Sequence, residues 1–320
     1  MAIANIPTDM QKAIEAFYTD AEDIVNSLAR DLESRPAPPM LYHYTNGEGL
    51  RGILQSGNVW LTDIFSLNDP SELRHGIKSV MRFLDEEAKK GPDEVKRFTK
   101  NLIAILTGSI EDIAHYFVCC FSHAGDDLGQ WRAYADNGRG FALGFDGKAL
   151  EDTFAKSTAG PIKGRMTFPI TYDGARLEEM HRQIVAALIP LISLPRKKRL
   201  SNAEINKYMS ELSVSASVPI LRAALFFKHG AYANEAEYRF FELHQAGPVP
   251  NLKYRGKPYS LIRYLEFDWR SAALDALKTI TVGPAADRAA ATQLANDCRR
   301  AFHPNPDVEI LYSDIPYRAP

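Results

Sequence analysis

The chain has 320 residues, of which 45% are hydrophobic and 24% are charged, a composition typical of a globular protein with a sizeable core. Its formal net charge of −2 excludes attraction to nucleic acid over the whole surface, so such a partner would need a local basic patch. Cys119 and Cys120 are adjacent and the third cysteine is remote, which excludes an evenly spaced disulfide framework and favours the reducing cytoplasm.

The first predicted element is a long amphipathic helix over residues 8–33, because apolar residues recur at helical spacing after a capping-box pattern at its start. Three prolines between residues 36 and 39 then predict a stiff, extended linker. We therefore predict that residues 1–39 form an appendage able to bind a protein partner. Residues 40–320 are predicted to form a single α+β domain.

Beyond the linker, helices and strands do not alternate regularly. Helices are predicted at about 48–55, 71–90, 93–113, 175–190, 201–226 and 285–302. Strands are predicted at about 40–45, 59–62, 115–122, 139–146, 165–172, 236–244, 259–267, 278–282 and 307–313. This order favours an α+β fold with mixed, mainly antiparallel sheets around a central cleft and flanking helices, rather than a doubly wound parallel sheet. The two helices within about 175–226 form a helical insertion, and their apolar run is too short for a membrane span.

The segment from Lys228 to Phe241 places two carboxylates and a guanidinium close together in the sequence. If residues from 235 to 243 form a strand, alternation puts Glu235, Glu237 and Arg239 on one face and aromatic residues on the other. Such a face is either a solvated surface whose ion pairs contribute at most about 1 kcal/mol each, or a ligand clamp in which Arg239 lowers the pKa of the carboxylates. From the residues alone, the solvated surface is the simpler interpretation.

Two other segments are candidates for ligand binding. His43 and Thr45 share one face of a strand, where they are suited to hold a sugar or an amide, although a polar strand face packed under a loop is the simpler explanation. Asn68 and Asp69 belong to a turn that precedes a helix, and helix capping is the alternative explanation for them.

Three further patterns are weaker. Trp131 and Tyr134 have helical spacing, which is more typical of a core than of a ligand platform. The adjacent cysteines would lie on opposite faces of a strand and could not both ligate one ion, so no metal is expected. The basic run at residues 196–199 is either a solvated connection between helices or a contact to a phosphate backbone.

Several short motifs, taken together and in order, resemble the bacterial domain of unknown function 2971. They are His43-Tyr44-Thr45, Leu67-Asn68-Asp69-Pro70 with Glu72, Cys120-Phe121-Ser122, Trp131-x-x-Tyr134, Gly140 through Gly144, Glu235-x-Glu237-Tyr238-Arg239 and Ser313-x-Ile315-Pro316-Tyr317-Arg318. The resemblance spans roughly residues 41–318.

A more distant resemblance is to the ADP-ribosyltransferase fold, and within it to the DNA-modifying toxins, whose sequences open with a comparable Tyr-His-x-Thr. It rests on His43-x-Thr45 early in the chain and Glu235-x-Glu237 late in it. The resemblance implies that His43 and Thr45 contact the nicotinamide side of NAD. It also implies that Glu237 or Glu235, kept ionised by Arg239, binds the ribose and stabilises the oxocarbenium-like transition state.

The same resemblance implies a function: an NAD-dependent ADP-ribosyltransferase that modifies a macromolecule, either nucleic acid (DNA or RNA) or protein, as a toxin or phage-defence effector. Two alternatives stay open, an NAD glycohydrolase and a non-catalytic module that binds a nucleotide or nucleic acid and signals to a partner. The second alternative is favoured by a missing arginine, since Asn68-Asp69-Pro70 stands about where the toxins have one near their second strand. The candidate NAD-binding residues are His43, Tyr44, Thr45, Asn68, Asp69, Trp131 and Tyr134.

A geometric expectation follows from this assignment. His43 and Glu237 should line the same cleft, since both would contact one ribose. Tyr44 and Tyr238, which neighbour them on the opposite strand faces, should be more buried than His43 and Glu237.

Overall fold

The computed structural model describes residues 6–67, 71–108, 114–156, 164–198, 200–245, 247–257, 259–270 and 275–319, without the side chains of residues 71–75 and 257. Within these ranges the chain forms a ten-stranded, mostly antiparallel open sheet with helices packed on both faces. The prediction of a mixed α+β fold is therefore confirmed. In the part of the chain that is described, no helix is long and apolar enough to cross a membrane.

The helices are α1 (Thr8–Glu33), α2 (Gly47–Ser56), α3 (Ser71–Lys90), α4 (Asp93–Gly108), α5 (Leu128–Tyr134), α6 (Gly147–Lys156), α7 (Gly174–Ile192), α8 (Asn202–Leu225) and α9 (Arg288–Phe302). The strands are β1 (Met40–Thr45), β2 (Asn58–Asp63), β3 (Ala114–Ser122), β4 (Phe141–Asp146), β5 (Arg165–Pro169), β6 (Glu237–Gln245), β7 (Lys253–Lys257), β8 (Ser260–Asp268), β9 (Leu277–Val282) and β10 (Glu309–Tyr312). A short 3-10 turn, Gly230–Glu235, precedes β6.

The strands follow the order β10-β9-β4-β1-β3-β2-β8-β7, while β6 pairs with β3 and β5. The described pairings are antiparallel except that of β10 with β9. Strand β3 is the centre of this arrangement. Strand β6 pairs with one of its edges along the full length, while β1 and β2 share its other edge.

The shared pairing of β3 with β1 and β2 opens a gap in the sheet. Val118 of β3 pairs with Thr62 of β2. Four residues further along β3, Ser122 pairs with Tyr42 of β1. Cys120 lies between these two positions and has no partner in the described register of β1 or β2. We call this gap between β1 and β2 beside Cys120 the fork.

The two faces of the sheet bury separate hydrophobic cores. On one face, α1, α3, α4, α7 and α8 pack together against β3, β5 and β6, and we call this the helical core. On the other face, α2, α6 and α9 pack against strands that include β4, β8 and β9. Alternation along β3 sends Val118 into the helical core and Phe121 into the second core, as the two-residue period of a strand requires.

Helix α1 does not stand apart from the rest of the protein. Its apolar stripe, which includes Met10, Phe17 and Val25, is buried in the helical core. Arg222 of α8 also donates a hydrogen bond to the side-chain oxygen of Asn26 at 2.7 Å. The domain boundary at residue 39 stays a prediction, but the expected free appendage is wrong, because the face suited to bind a partner already packs within the same chain.

Candidate functional site

The charged start of β6 differs from the predicted strand. Ala236 has a φ of 44°, in the left-handed region, so β6 begins at Glu237 and Glu235 is the last residue of the preceding 3-10 turn. The predicted strand over residues 235–243 is therefore wrong at its start, and Glu235 does not reach the site by strand alternation. The turn at Ala236 nevertheless brings both carboxylates to the Lys228 ammonium group.

Glu237 is paired through both of its carboxylate oxygens. Arg239 Nε donates to Oε1 at 2.5 Å, and Lys228 Nζ donates to Oε2 at 3.1 Å. Arg239 Nη1 also donates to the Leu225 carbonyl at 3.0 Å, which ties the cluster to the end of α8. Glu237 is only 5% exposed, and Lys228 and Arg239 are buried as well. The interpretation of Glu237 and Arg239 as a solvated surface is therefore wrong.

The electrostatic environment of Glu237 fixes its charge. Burial alone would raise the pKa of this carboxyl, but the charges of Arg239 and Lys228 outweigh burial and hold the pKa at about 2. Glu237 is thus ionised at neutral pH, and the predicted effect of Arg239 on its pKa is present.

Lys228 is a member of the cluster that the sequence analysis did not select. It lies just after α8, where its ammonium group contacts Glu235 and Glu237 and stands 5.1 Å from the centre of the Tyr232 ring. The available signal was a lysine seven and nine residues before two glutamates, which indicates neither the turn between them nor their shared contact. The structure therefore adds Lys228 to the candidate site.

Glu235 is the more accessible carboxylate, since its side chain is 13% exposed. Lys228 donates to one of its oxygens, and the Tyr134 hydroxyl donates to the other at 3.5 Å. Burial, followed by the negative charge of Glu235, raises the pKa of Tyr134, so its hydroxyl remains a proton donor at neutral pH.

His43 lies in the fork, with Nδ1 3.2 Å from the Cys120 carbonyl oxygen. Because a carbonyl can only accept a hydrogen bond, we assign the proton to Nδ1, which leaves Nε2 as an acceptor. Burial lowers the pKa of His43 more than the hydrogen bond to Cys120 raises it, so the ring is neutral at pH 7. Its centre is 5.5 Å from that of Phe121.

His43, Glu235 and Glu237 line one cavity of about 220 Å³ at the fork, together with Arg239 and Tyr134. We call it the fork cavity. His43 and Glu237 thus share a cleft, as expected, although they are far apart in the sequence.

The expected difference in burial is clear for one strand. Tyr44 is buried whereas His43 is partly exposed. On β6, Tyr238 and Glu237 are both buried, because ion pairs with Lys228 and Arg239 hold the carboxylate in the interior.

A larger groove of about 920 Å³ opens beside the fork cavity and shares His43, Trp60, Thr62 and Tyr134 with it. Thr45 lines this groove rather than the fork cavity, close to the start of α2. The groove has the size of a small-molecule site, for which about 300–1,000 Å³ is typical. The two spaces together therefore have a small charged end and a larger end.

Tyr44 and Trp131 have structural roles at the edge of the site. The Tyr44 hydroxyl donates to the Ala124 carbonyl at 2.7 Å, and its ring meets that of Trp131 edge-on with centres 4.9 Å apart. Trp131 is fully buried, and its Nε1 donates to Asp126 at 2.6 Å. The prediction of Trp131 as an NAD contact is therefore wrong, because its ring has no surface open to a ligand.

Asn68 and Asp69 lie outside the described residues. Among the residues that are described, no group of three or more His, Cys, Asp and Glu side chains is placed to hold a metal ion.

Residues 130–240, about a third of the chain, match the model of a family described as "Protein of unknown function (DUF2971)". The matched region contains Tyr134, Glu235, Glu237 and Arg239, which line the fork cavity. Over this part of the chain, the match supports the resemblance to the DUF2971 family. Comparisons with curated proteins and with solved structures found no match.

Proposed function

We propose that this protein is an NAD-dependent ADP-ribosyltransferase whose reaction centre is the fork cavity. The observation that supports the proposal is the convergence of His43 with Glu235 and Glu237 on one cavity from distant parts of the chain. Convergence of a neutral imidazole and paired carboxylates suits a ligand with both an amide and a sugar, as the nicotinamide riboside half of NAD has.

The dimensions of the two spaces suggest how NAD would lie. The fork cavity, at about 220 Å³, has room for only part of the molecule, so the nicotinamide riboside end would occupy it. The remainder would extend past His43 into the groove of about 920 Å³, along Thr45 and the first turn of α2. In this arrangement Nε2 of His43 accepts a hydrogen bond from the carboxamide or from a ribose hydroxyl.

The reaction breaks the bond between C1 of the ribose and the ring nitrogen, and the electron pair leaves with neutral nicotinamide. An oxygen or nitrogen of the acceptor forms the new bond to the same carbon and loses a proton. Positive charge develops on the ribose as the first bond breaks, and a nearby carboxylate stabilises it electrostatically. No oxidation or reduction takes place.

The structure supports different roles for the two carboxylates. Both oxygens of Glu237 are paired with Lys228 and Arg239, so Glu237 is suited to hold the cations and the ribose end in position. Glu235 is more exposed, and its contact with Tyr134 is a long one at 3.5 Å. We therefore assign to Glu235 the contact with the reacting ribose and the acceptance of the acceptor's proton.

The test is transfer of label from NAD to nucleic acid and to protein, together with release of nicotinamide. Glu235→Gln and Glu237→Gln should each lower the rate by about 10²–10³, the loss typical of one well-placed electrostatic group. Glu309→Gln, an exposed glutamate on β10, is the matched control and should behave as wild type. Equal activity of wild type and both site variants, or no release of nicotinamide by wild type, would overturn the proposal.

If water were the acceptor in place of the macromolecule, the protein would be an NAD glycohydrolase. Release of free ADP-ribose, without transfer of label to any macromolecule, would identify that activity.

A non-catalytic binding module is the second candidate, favoured by the full pairing of Glu237, which leaves that carboxylate without a free oxygen. In that case calorimetry would detect NAD binding while no nicotinamide is released.

A further inference from the structure

The hairpin formed by β7 and β8 carries a local basic segment. Between residues 243 and 265 the sequence has four lysines and arginines and no aspartate or glutamate. Tyrosines at positions 254, 259 and 264 are interleaved with these cations. A chain with a net charge of −2 needs a local segment of this kind to attract a polyanion.

The other basic run, at residues 196–199, is neutralised at two of its positions. Arg196 pairs with Glu94 at 2.7 Å, and Lys198 pairs with Asp9. These contacts favour its interpretation as a solvated connection between helices.

In the hairpin, Arg255 differs from its neighbours. Lys253 pairs with Glu266 at 2.7 Å. Arg255 has no carboxylate partner among the described residues, and its guanidinium instead lies 5.0 Å from the centre of the Trp60 ring. Arg255 Nη2 also donates to the Thr62 hydroxyl at 3.5 Å, a neutral contact that leaves the positive charge able to attract a phosphate group.

Trp60 is 41% exposed although it belongs to β2, an interior strand of the sheet. Its ring contacts that of Tyr264, with centres 4.5 Å apart, and it lines both the fork cavity and the adjoining groove. Arg255 lines the same groove. An exposed aromatic ring beside a guanidinium that has no carboxylate partner among the described residues is the combination that binds single-stranded nucleic acid, by base stacking and phosphate contact.

We propose that Trp60 and Arg255, with the β7–β8 hairpin beside them, form a docking surface for single-stranded nucleic acid. One base stacks on Trp60 while Arg255 contacts an adjacent phosphate, which directs the neighbouring nucleotide toward His43 and the fork cavity. As an acceptor site this surface rests on the proposed transferase function. As a binding surface it does not, so binding is measured without NAD.

The experiment is fluorescence anisotropy with labelled ten-nucleotide oligo(dT) and oligo(U), repeated over a range of salt concentrations. Trp60→Ala should weaken binding about tenfold or more, whereas Trp60→Phe, which keeps a stacking ring, should retain most of it. Arg255→Ala should reduce the slope of log affinity against log salt by about 0.7, the value for one phosphate contact on a single strand. Arg255→Lys, which keeps the positive charge, should have the salt slope of the wild type.

Two controls test the location. Tyr254 is exposed on the same hairpin, but it neighbours Arg255 in β7 and so faces the other way. Tyr254→Ala should therefore leave affinity unchanged. Arg196→Ala removes a cation that is already paired with Glu94 and should leave the salt slope unchanged.

The outcomes separate this proposal from the transferase. Absence of oligonucleotide binding overturns the docking surface, whatever the result of the NAD assays. Equal binding by wild type, Trp60→Ala and Arg255→Ala does the same. Transfer of label to protein alone, with no oligonucleotide binding, would identify a protein acceptor and also overturns it. Oligonucleotide binding that depends on Trp60 and Arg255, without nicotinamide release, upholds the docking surface and overturns the transferase.

Discussion

Strand β6 buries ion pairs near both of its ends, and the two clusters differ in what surrounds them. At its start, Glu237 pairs with Arg239 and Lys228. Toward its other end, Glu242 pairs with Arg165 at 2.7 Å and with His244 at 2.7 Å. Alternation along the strand places the two glutamates on opposite faces of the sheet.

Aromatic rings and main chain pack against the second cluster. The Arg165 guanidinium lies 4.6 Å from the centre of the Phe154 ring and donates to the Phe154 carbonyl at 2.7 Å. The His244 ring is 5.9 Å from that of Phe117. The first cluster instead lines the fork cavity, whereas Arg165, Glu242 and His244 line neither that cavity nor the adjoining groove. Buried charge therefore indicates a candidate site only when open space lies beside it.

The largest effect is expected from Arg239→Met in the cluster at the fork. Glu237 would stay buried with Lys228 as its main cation, and breaking such a buried pair costs about 3–5 kcal/mol in the free energy of unfolding. Urea denaturation measures this loss. Arg196→Met, which removes an exposed pair with Glu94, is the control and should cost less than about 1 kcal/mol. Equal losses of unfolding free energy in the two variants would contradict the difference expected between a buried and an exposed ion pair.

Acid should destabilise the folded protein through Glu237, in the cluster at the fork. Its folded pKa of about 2 lies below the ordinary 4.5, so its contribution is complete above pH 4.5 and is lost as the pH falls through 2. The difference corresponds to about 3 kcal/mol at about 1.4 kcal/mol per pH unit. Unfolding free energies measured from pH 6 to pH 2 should therefore fall less steeply for Glu237→Gln. Parallel curves for variant and wild type would show that this carboxyl does not titrate as described.

A smaller effect is expected at the second cluster. Arg165→Met removes a charged hydrogen bond from Glu242, which keeps His244 as a partner, so the loss of unfolding free energy should be about 2 kcal/mol. Calorimetry should detect unchanged NAD affinity in this variant. Glu235→Gln should instead weaken NAD binding, because Glu235 lines the fork cavity. If Arg165→Met weakened NAD binding as much, the two clusters would not differ in function.

The smallest effect is expected from Tyr134→Phe. Its hydroxyl contributes one long hydrogen bond to Glu235, so its removal should cost about 0.5 kcal/mol in unfolding free energy. NAD affinity should change by no more than about threefold, because the ring still lines the cavity. A larger loss of affinity would make the Tyr134 hydroxyl a direct contact of the ligand.

Much of the site could be predicted because its residues belong to short sequence patterns. The two-residue period of a strand correctly places Glu237 and Arg239 on one face, and the order of predicted elements is enough to recognise an α+β fold. His43-x-Thr45 likewise lies on β1, where the aromatic and β-branched residues predict a strand.

The rest depends on contacts that local patterns do not contain. The left-handed turn at Ala236 is not the conformation that an alanine within a strand pattern predicts, yet it decides how Glu235 reaches Lys228. Strand β7 was missed because its three cations and a glycine have low strand propensity, and pairing with β8 overrides that propensity. The apolar stripe of α1 shows that the helix needs a partner surface, but not that the surface belongs to the same chain.

The fork has a consequence for exchange of amide hydrogens with solvent. Cys120 lies in an interior strand, but its position in the described register has no partner on β1 or β2, and the Cys120 carbonyl is bound by His43 instead. The amide of a residue faces the same side of a strand as its carbonyl, so the Cys120 amide faces the fork cavity. Amides in the middle of a sheet ordinarily exchange only when the strands separate. The Cys120 amide should exchange through the cavity while its neighbours stay protected, and a molecule that fills the cavity should slow it, so exchange at this position reports whether the site is occupied.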